Sequence, residues 1–209
     1  MTFLDPAPIE IFIMKDIINF LFEVGMLKKT PRTGYQFLGS GNESVAEHSF
    51  RTAIIGYTLA HQETKADLQK VILMCLFHDL PEARTGDQNY VNKRYVYVDE
   101  KSAIKDLARN APFGDDLIGA INEFNKGETL EARISRDADQ LDLIMELKEQ
   151  KDLGNRYAED WLYFAVKRLV TDIGREMASE ILKTDSADWW FDKKTDFWVN
   201  GPENNHKTK

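Results

Sequence analysis

Apolar residues recur at helical spacing through most of the chain, and alternation of the strand type is almost absent. Asp5-Pro6 reads as an N-cap followed by a first helical residue. Ile9, Phe12, Ile13, Ile17, Phe20, Leu21 and Val24 then mark one face of a helix that Gly25 ends. From Thr30 to Asn42 one Pro, three Gly and the lack of any period predict a loop, which carries Arg32. Ser44-Val45-Ala46-Glu47 is a capping box, with Ser at the N-cap and Glu three residues on. It opens a second helix whose apolar face runs Val45, His48, Thr52, Ile55, Gly56 and Leu59, which turns His48 inward. Thr64 is expected to start a third helix carrying the run Val71 to Phe77 and delivering His78 and Asp79 about four turns later. Pro81 lacks an N–H and disfavours helix in the residue before it, so that helix should end or kink at Leu80.

The polar and aromatic stretch from Asp87 to Val98 reads as a loop over a cavity, with a short strand at Tyr95 to Val98 as the alternative. Short amphipathic helices are expected from Asp99 and from Asp115, a longer one over Glu128 to Gln150, and further helix over Arg156 to Gly174 and Glu176 to Phe191. Trp161, Trp189, Trp190 and Trp198 are expected to pack a core or a subunit contact rather than to hold a ligand. The fold class is therefore all-α, with helices packed orthogonally rather than as an up-down bundle.

Composition narrows the function more than the fold. At 209 residues and 43% hydrophobic, the chain can build one substantial core. A net charge of −8 with no basic stripe argues against a nucleic-acid polymer as partner, although one local cation can still serve a small phosphorylated ligand. The single cysteine, Cys75, lies in the apolar run and reads as core in a reducing compartment. No leader and no membrane-length apolar run is seen, so a cytoplasmic protein without membrane contact is expected.

Candidate chemistry lies where the greasy third helix meets His78 and Asp79, because a buried carboxylate needs a metal, a cation or donors. His48 on one helix, His78 and Asp79 on the next, and an Asp in Asp137-Ala138-Asp139 on a late one form a set suited to a divalent transition metal with open positions. Helical periodicity alone would bury Asp137, which shares a face with Leu130, Ile134, Leu141 and Met145. Asp139 points about 200° away from it. Neither HExxH nor GxxxxGK[ST] is present, which excludes a zinc protease of that kind and a P-loop nucleotidase.

The segments Leu27 to Gly34, Glu43 to Ser49, His78 to Glu82 with Thr85-Gly86-Asp87, and Arg136 to Asp139 together resemble the HD-domain metal-dependent phosphohydrolases, closest to the branch of bacterial 5′-deoxynucleotidases. The resemblance implies one domain over 1–199, with its core at 15–150, a helical extension at 151–199 and a disordered tail at 200–209. It places His48, His78, Asp79 and Asp139 as metal ligands, with Asp137 outside the first ring of contacts. It implies Glu82 and Asp87 as catalytic carboxylates beside the activated water, and Arg32 with Thr33 as substrate-binding residues. Relatives of this kind carry a Trp where this chain has Thr33, with Tyr35 nearby, so preference for deoxyribose is an open point. No further His follows His78 until His206, and His61 lies among polar residues, so a single divalent ion (Mn, Co, Fe, Ni or Zn) is expected. The implied activity is release of phosphate from (deoxy)nucleoside 5′-monophosphates by a homodimer. The alternatives are a nucleotide sensor without turnover, and hydrolysis of a cyclic or polyphosphorylated nucleotide, which would need extra basic residues. A structural metal site is disfavoured, since such sites are usually closed and rich in Cys.

Overall fold

A computed structural model of the protein describes residues 8–195 and 197–201. In chain order its helices are α1 (Pro8–Val24), α2 (Tyr35–Leu38), α3 (Val45–Gln62), α4 (Leu68–Phe77), α5 (Glu82–Thr85), α6 (Glu100–Ala108), α7 (Gly114–Lys126), α8 (Leu130–Asp152), α9 (Arg156–Ala165), α10 (Asp172–Lys183) and α11 (Phe197–Asn200). Among the described residues there is no strand, only an isolated antiparallel bridge between Pro31 and Ser44. The architecture is all-α. The expected Asp5-Pro6 start and residues 202–209 of the tail lie outside the described residues.

α8 is the axle. Ile134, Ala138, Leu141, Ile144 and Leu147 are fully buried, against α3 and α4 on one side and α9 and α10 on another. Each large aliphatic side chain so buried contributes about 1.5–3 kcal/mol of hydrophobic stabilisation. Being surrounded, the helix also buries polar positions, Ser135, Asp137 and Asp142. A second core joins α1, α6 and α7 through Phe20, Ile104, Leu107, Leu117 and Ile121.

The capping box holds as the sequence predicts: the Ser44 hydroxyl accepts from the Glu47 amide at 3.2 Å, and the Glu47 carboxylate accepts from the Ser44 amide at 2.7 Å. α3 then crosses α4 at Gly56. A Cβ on Gly56 would come within 2.6 Å of the Cys75 sulfur, so the helices approach as closely as they do only because that side chain is missing. Cys75 itself is buried core.

Several boundaries differ from the sequence expectation. α4 starts at Leu68, capped by Asp67, whose carboxylate accepts from the Lys70 amide at 3.1 Å; Thr64 is not the cap. The helix ends at Phe77 rather than Leu80. Pro81 has no N–H for the Phe77 carbonyl, and that carbonyl takes the Leu80 amide in a tighter turn at 3.1 Å. Residues 35–38, expected to be loop, make one helical turn, stopped by Gly39 at φ 69°. Residues 87–98 contain a 3-10 turn, Asn92–Arg94, organised by the Asn89 side chain, and no strand. The helix expected to run from Arg156 to Gly174 breaks after Ala165. The Asp137 carboxylate, one helix away, accepts from the backbone amides of Val170 at 2.9 Å and Thr171 at 2.8 Å, and Thr171 then caps α10. α10 stops at Lys183, well short of Phe191. Trp161 packs against the core, but Trp189 is 86% exposed, and Trp190 and Trp198 meet edge to face at the surface.

Candidate metal-dependent active site

The four expected ligands come from three elements and converge. His48, one turn into α3, is fully buried, and His78 follows the last residue of α4. Asp79 comes next, and Asp139 projects from the middle of α8. His48 Nε2 lies 3.1 Å from Asp139 Oδ1 and 3.5 Å from Asp79 Oδ2. His78 Nε2 lies 3.2 Å from Asp79 Oδ2 and 3.9 Å from Asp139 Oδ1. Asp137 is turned elsewhere, into the amides of Val170 and Thr171, and its role is to shape the α9–α10 connection.

The far sides of both rings decide their tautomers. His48 Nδ1 stands 2.6 Å from Asp142 Oδ2, and His78 Nδ1 stands 2.9 Å from the Cys75 carbonyl. Both partners are acceptors, so both Nδ1 atoms carry hydrogen, and Nε2 is the atom left to face the centre, as a lone pair toward a metal ion or as an N–H toward the carboxylates without one. The two Nε2 atoms are buried and have no hydrogen-bond partner. Imidazole nitrogens facing carboxylate oxygens across little more than 3 Å call for positive charge between them, a proton or a metal ion. His48, His78 and Asp139 each offer a ligand atom within 4.8 Å of one another, and this donor set fits a divalent metal.

The electrostatics point the same way. Burial and Arg32 work against a charged His48, yet Asp139 and Asp142 overcome them and lift its pKa to about 10. Burial would raise Asp79, but the two histidines and Arg32 hold it well below the ordinary carboxylate range. Burial likewise opposes ionisation of Asp139, and the hydrogen bond and charge of His48 outweigh it. The pocket thus favours positive charge strongly.

Around this centre lie the remaining expected residues. Glu82, the first residue of α5, has one carboxylate oxygen buried without a partner. Burial first, then Asp79 and Asp87, push its pKa up to about 9. Arg32 reaches Asp79 at 3.3 Å and approaches Asp87 at 4.0 Å. Burial opposes its charge, but Asp79, Asp139, Asp87 and Glu82 keep it protonated. Asp87 accepts from the Thr33 amide at 2.6 Å and from its hydroxyl at 2.9 Å, so one oxygen of Asp87 and the Thr33 side chain hold each other. A cavity opens from Arg32 and Asp87, walled by Tyr35, Tyr90 and Trp161 over Leu143. A second opens in front of His78, Asp79 and Glu82 under the loop residues Lys93, Val96 and Val98.

The residues behind His48 were not singled out from the sequence. Arg51 binds Asp142 through Nε, Glu146 through Nη2 and Glu149 through Nη1 at 2.9 Å, and Glu43 stands 3.9 Å away. Tyr35 donates to Glu146. The available signal was spacing: Asp142 follows Asp139 by three residues, and Arg51 follows His48 by three, so each pair shares a helix side.

A sequence model of the HD domain matches residues 24–181, well over half the chain, and the protein belongs to that family. It is 27% identical over 148 residues to the Bos taurus protein named 5′-deoxynucleotidase HDDC2, a match spanning 68% of this chain and 71% of that one. A Dictyostelium discoideum protein of the same name is 30% identical over 148 residues, spanning 65% and 78%. The fold matches that of a conserved hypothetical protein from Pyrococcus furiosus with a TM-score of 0.70 and 28% identity, over 80% of this chain and 99% of that one.

Proposed function

We propose that the protein is a metal-dependent 5′-nucleotidase that releases phosphate from nucleoside 5′-monophosphates, deoxynucleotides among them. The observation that carries this reading is the pair of buried, unpartnered imidazole nitrogens facing Asp79 and Asp139, with Arg32 and Glu82 at their side. The names of the HDDC2 relatives support the substrate class. His48, His78, Asp79 and Asp139 would hold one divalent transition-metal ion, which supplies Lewis-acid charge to the phosphoryl group and acidifies water.

The chain's own residues then divide the work. Arg32 presents a planar fork of donors to the non-bridging phosphoryl oxygens. Glu82, which a divalent ion at the four ligands would hold ionised against its burial, accepts the proton of the attacking water, whose oxygen forms the new bond to phosphorus as the bond to the 5′-oxygen breaks. The departing alkoxide takes a proton from solvent, and Glu82 returns to solvent the one it accepted. Asp87 positions Thr33 and Arg32 at the rim rather than meeting the reacting atoms first. The nucleoside lies in the aromatic-walled cavity that starts at Arg32, where the ring of Tyr35, its hydroxyl held by Glu146, faces the sugar, while the Thr33 hydroxyl is engaged by Asp87. A cytoplasmic homodimer belongs to the same proposal. Among the described residues no helix is long and apolar enough to cross a membrane, and light scattering on the purified protein reads the oligomeric state.

The deciding experiment measures phosphate release from ribo- and deoxyribonucleoside 5′-monophosphates with Mn, Co, Fe, Ni, Zn or EDTA. Release that needs metal and falls to background in Asp139→Asn is the expected result. Metal and nucleotide binding without turnover would replace this reading with that of a sensor.

A further inference from the structure

A cavity of about 520 Å³ shares Asp139 with the four candidate ligands, and its wall gathers Arg133, Arg136 and Arg168 with Gln140 and Asn125. For a chain with net charge −8 this is an unusual concentration of donors. Arg133 and Arg136 stand one turn apart on α8, and neither pairs with a carboxylate among the described residues. The two carboxylates on the wall are already engaged, Asp137 with the amides of Val170 and Thr171, and Asp139 with His48.

Two of the arginines are seated rather than free. Arg136 lies over the end of α7, where Gly127 leaves room; a Cβ at that position would collide with the guanidinium. Arg168 donates to the Tyr90 hydroxyl and stacks on that ring at 4.7 Å. Gln140 Nε2, on the same wall, is buried without a partner. Arg133 and Arg136 without a carboxylate and Gln140 without any acceptor, in a cavity that shares Asp139 with the candidate ligands, describe half of a binding site. What is missing is an anion.

We infer that this cavity binds a phosphoryl group other than the one held at Arg32. The inference rests on the nucleotidase reading for its ligand class, and it names a second point of recognition. The group comes either from a nucleotide carrying two phosphates or from the phosphate that hydrolysis releases. Planar guanidinium forks suit a phosphoryl group from either source.

The test compares the wild type with the double variant Arg133→Gln, Arg136→Gln, both positions being exposed and outside the proposed catalytic and nucleoside-binding residues. Inorganic phosphate is titrated calorimetrically into the metal-loaded proteins. Hydrolysis of a nucleoside 5′-monophosphate is followed beside that of the corresponding 5′-diphosphate and 3′,5′-bisphosphate. If the second phosphate belongs to substrate, a doubly phosphorylated nucleotide has a KM at least about tenfold below that of the monophosphate, and the variant removes that advantage. If it is released product, free phosphate binds at two sites, and the variant loses one of them. Both outcomes leave kcat/KM for the monophosphate unchanged, and both support the inference. Equal phosphate binding and an unchanged KM ratio in the two proteins would overturn it. Absence of turnover in both proteins would defeat the nucleotidase reading, and the phosphate titration still decides whether the cavity binds.

Discussion

On one side of the His48 ring the carboxylates of Glu43, Asp142, Glu146 and Glu149 surround the guanidinium of Arg51. On the other, Asp79 and Asp139 face the two Nε2 atoms, with Glu82 and Asp87 nearby and a single arginine, Arg32, at the edge. The first cluster carries its own cation at its centre, and its hydrogen bonds close. The second gathers as much negative charge but leaves its central donors facing each other. A cluster built only for stability would look like the first, because a buried charge without partners is costly. The open cluster is therefore the one fitted to take a charge from outside, and the closed one is its anchor: Asp142 holds the His48 ring that a metal would meet.

That contrast can be broken from either side. The largest effect is expected at the open cluster. Glu82→Gln should lower kcat by about 10²–10⁴-fold, the usual contribution of a general base, while metal affinity measured by titration stays near the wild-type value. A kcat unchanged by the substitution would remove Glu82 from proton transfer. Asp142→Asn touches the metal only through His48, and it should weaken metal affinity by about 10–100-fold. Metal binding as tight as in the wild type would mean that the ring is held by packing alone.

Arg51→Met attacks the closed cluster at its cation. It should cost about 3–5 kcal/mol of stability by leaving carboxylates buried without their partner. A denaturant midpoint within error of the wild type would show the cluster to be solvated instead.

The smallest effect is the pH response of the chelated protein. Burial and neighbouring acids raise Glu43 and Glu146 from an ordinary 4.5 to about 7. The folded state then holds more protons than the unfolded state in that window, so stability falls as pH rises through it. His48, raised from 6.5 to about 10, contributes stability that is complete below 6.5 and lost as pH rises toward 10. The depressed Asp79 and Asp139 act only at lower pH. The Tm of EDTA-treated protein should therefore decline from pH 5 to 9, and metal should flatten the upper half of that decline. A Tm that climbs between pH 5 and 7 would contradict the assignment at Glu43 and Glu146.

The helical fold and the inward turn of His48 and His78 were legible from local signals, a capping box, an apolar run and a proline, whereas the choice of Asp139 to join them and Asp79 came from the family resemblance. Asp137 shows where such signals stop. Periodicity correctly buries it, but that it breaks a helix some thirty residues away by taking the amides of Val170 and Thr171 is a property of three-dimensional contact. The same holds for Asp67, which caps α4 in place of Thr64. It holds too for Arg51, whose acidic partners lie more than ninety residues along the chain on α8, apart from Glu43.

Gly56 gives the molecule a tolerance as tight as that of a machined joint. His48 sits two turns above it on α3, about 12 Å along the axis, and Cys75, which it touches, is three residues before His78 on α4. One methyl group at position 56 works as a shim between the two helices. It cannot be absorbed by the helix ends alone, because the Val71 and Ala138 side chains also close on the same point. Both helices that close on this point run on to an imidazole, so the spacing at Gly56 would bear on the gap between His48 and His78, far from any reacting atom.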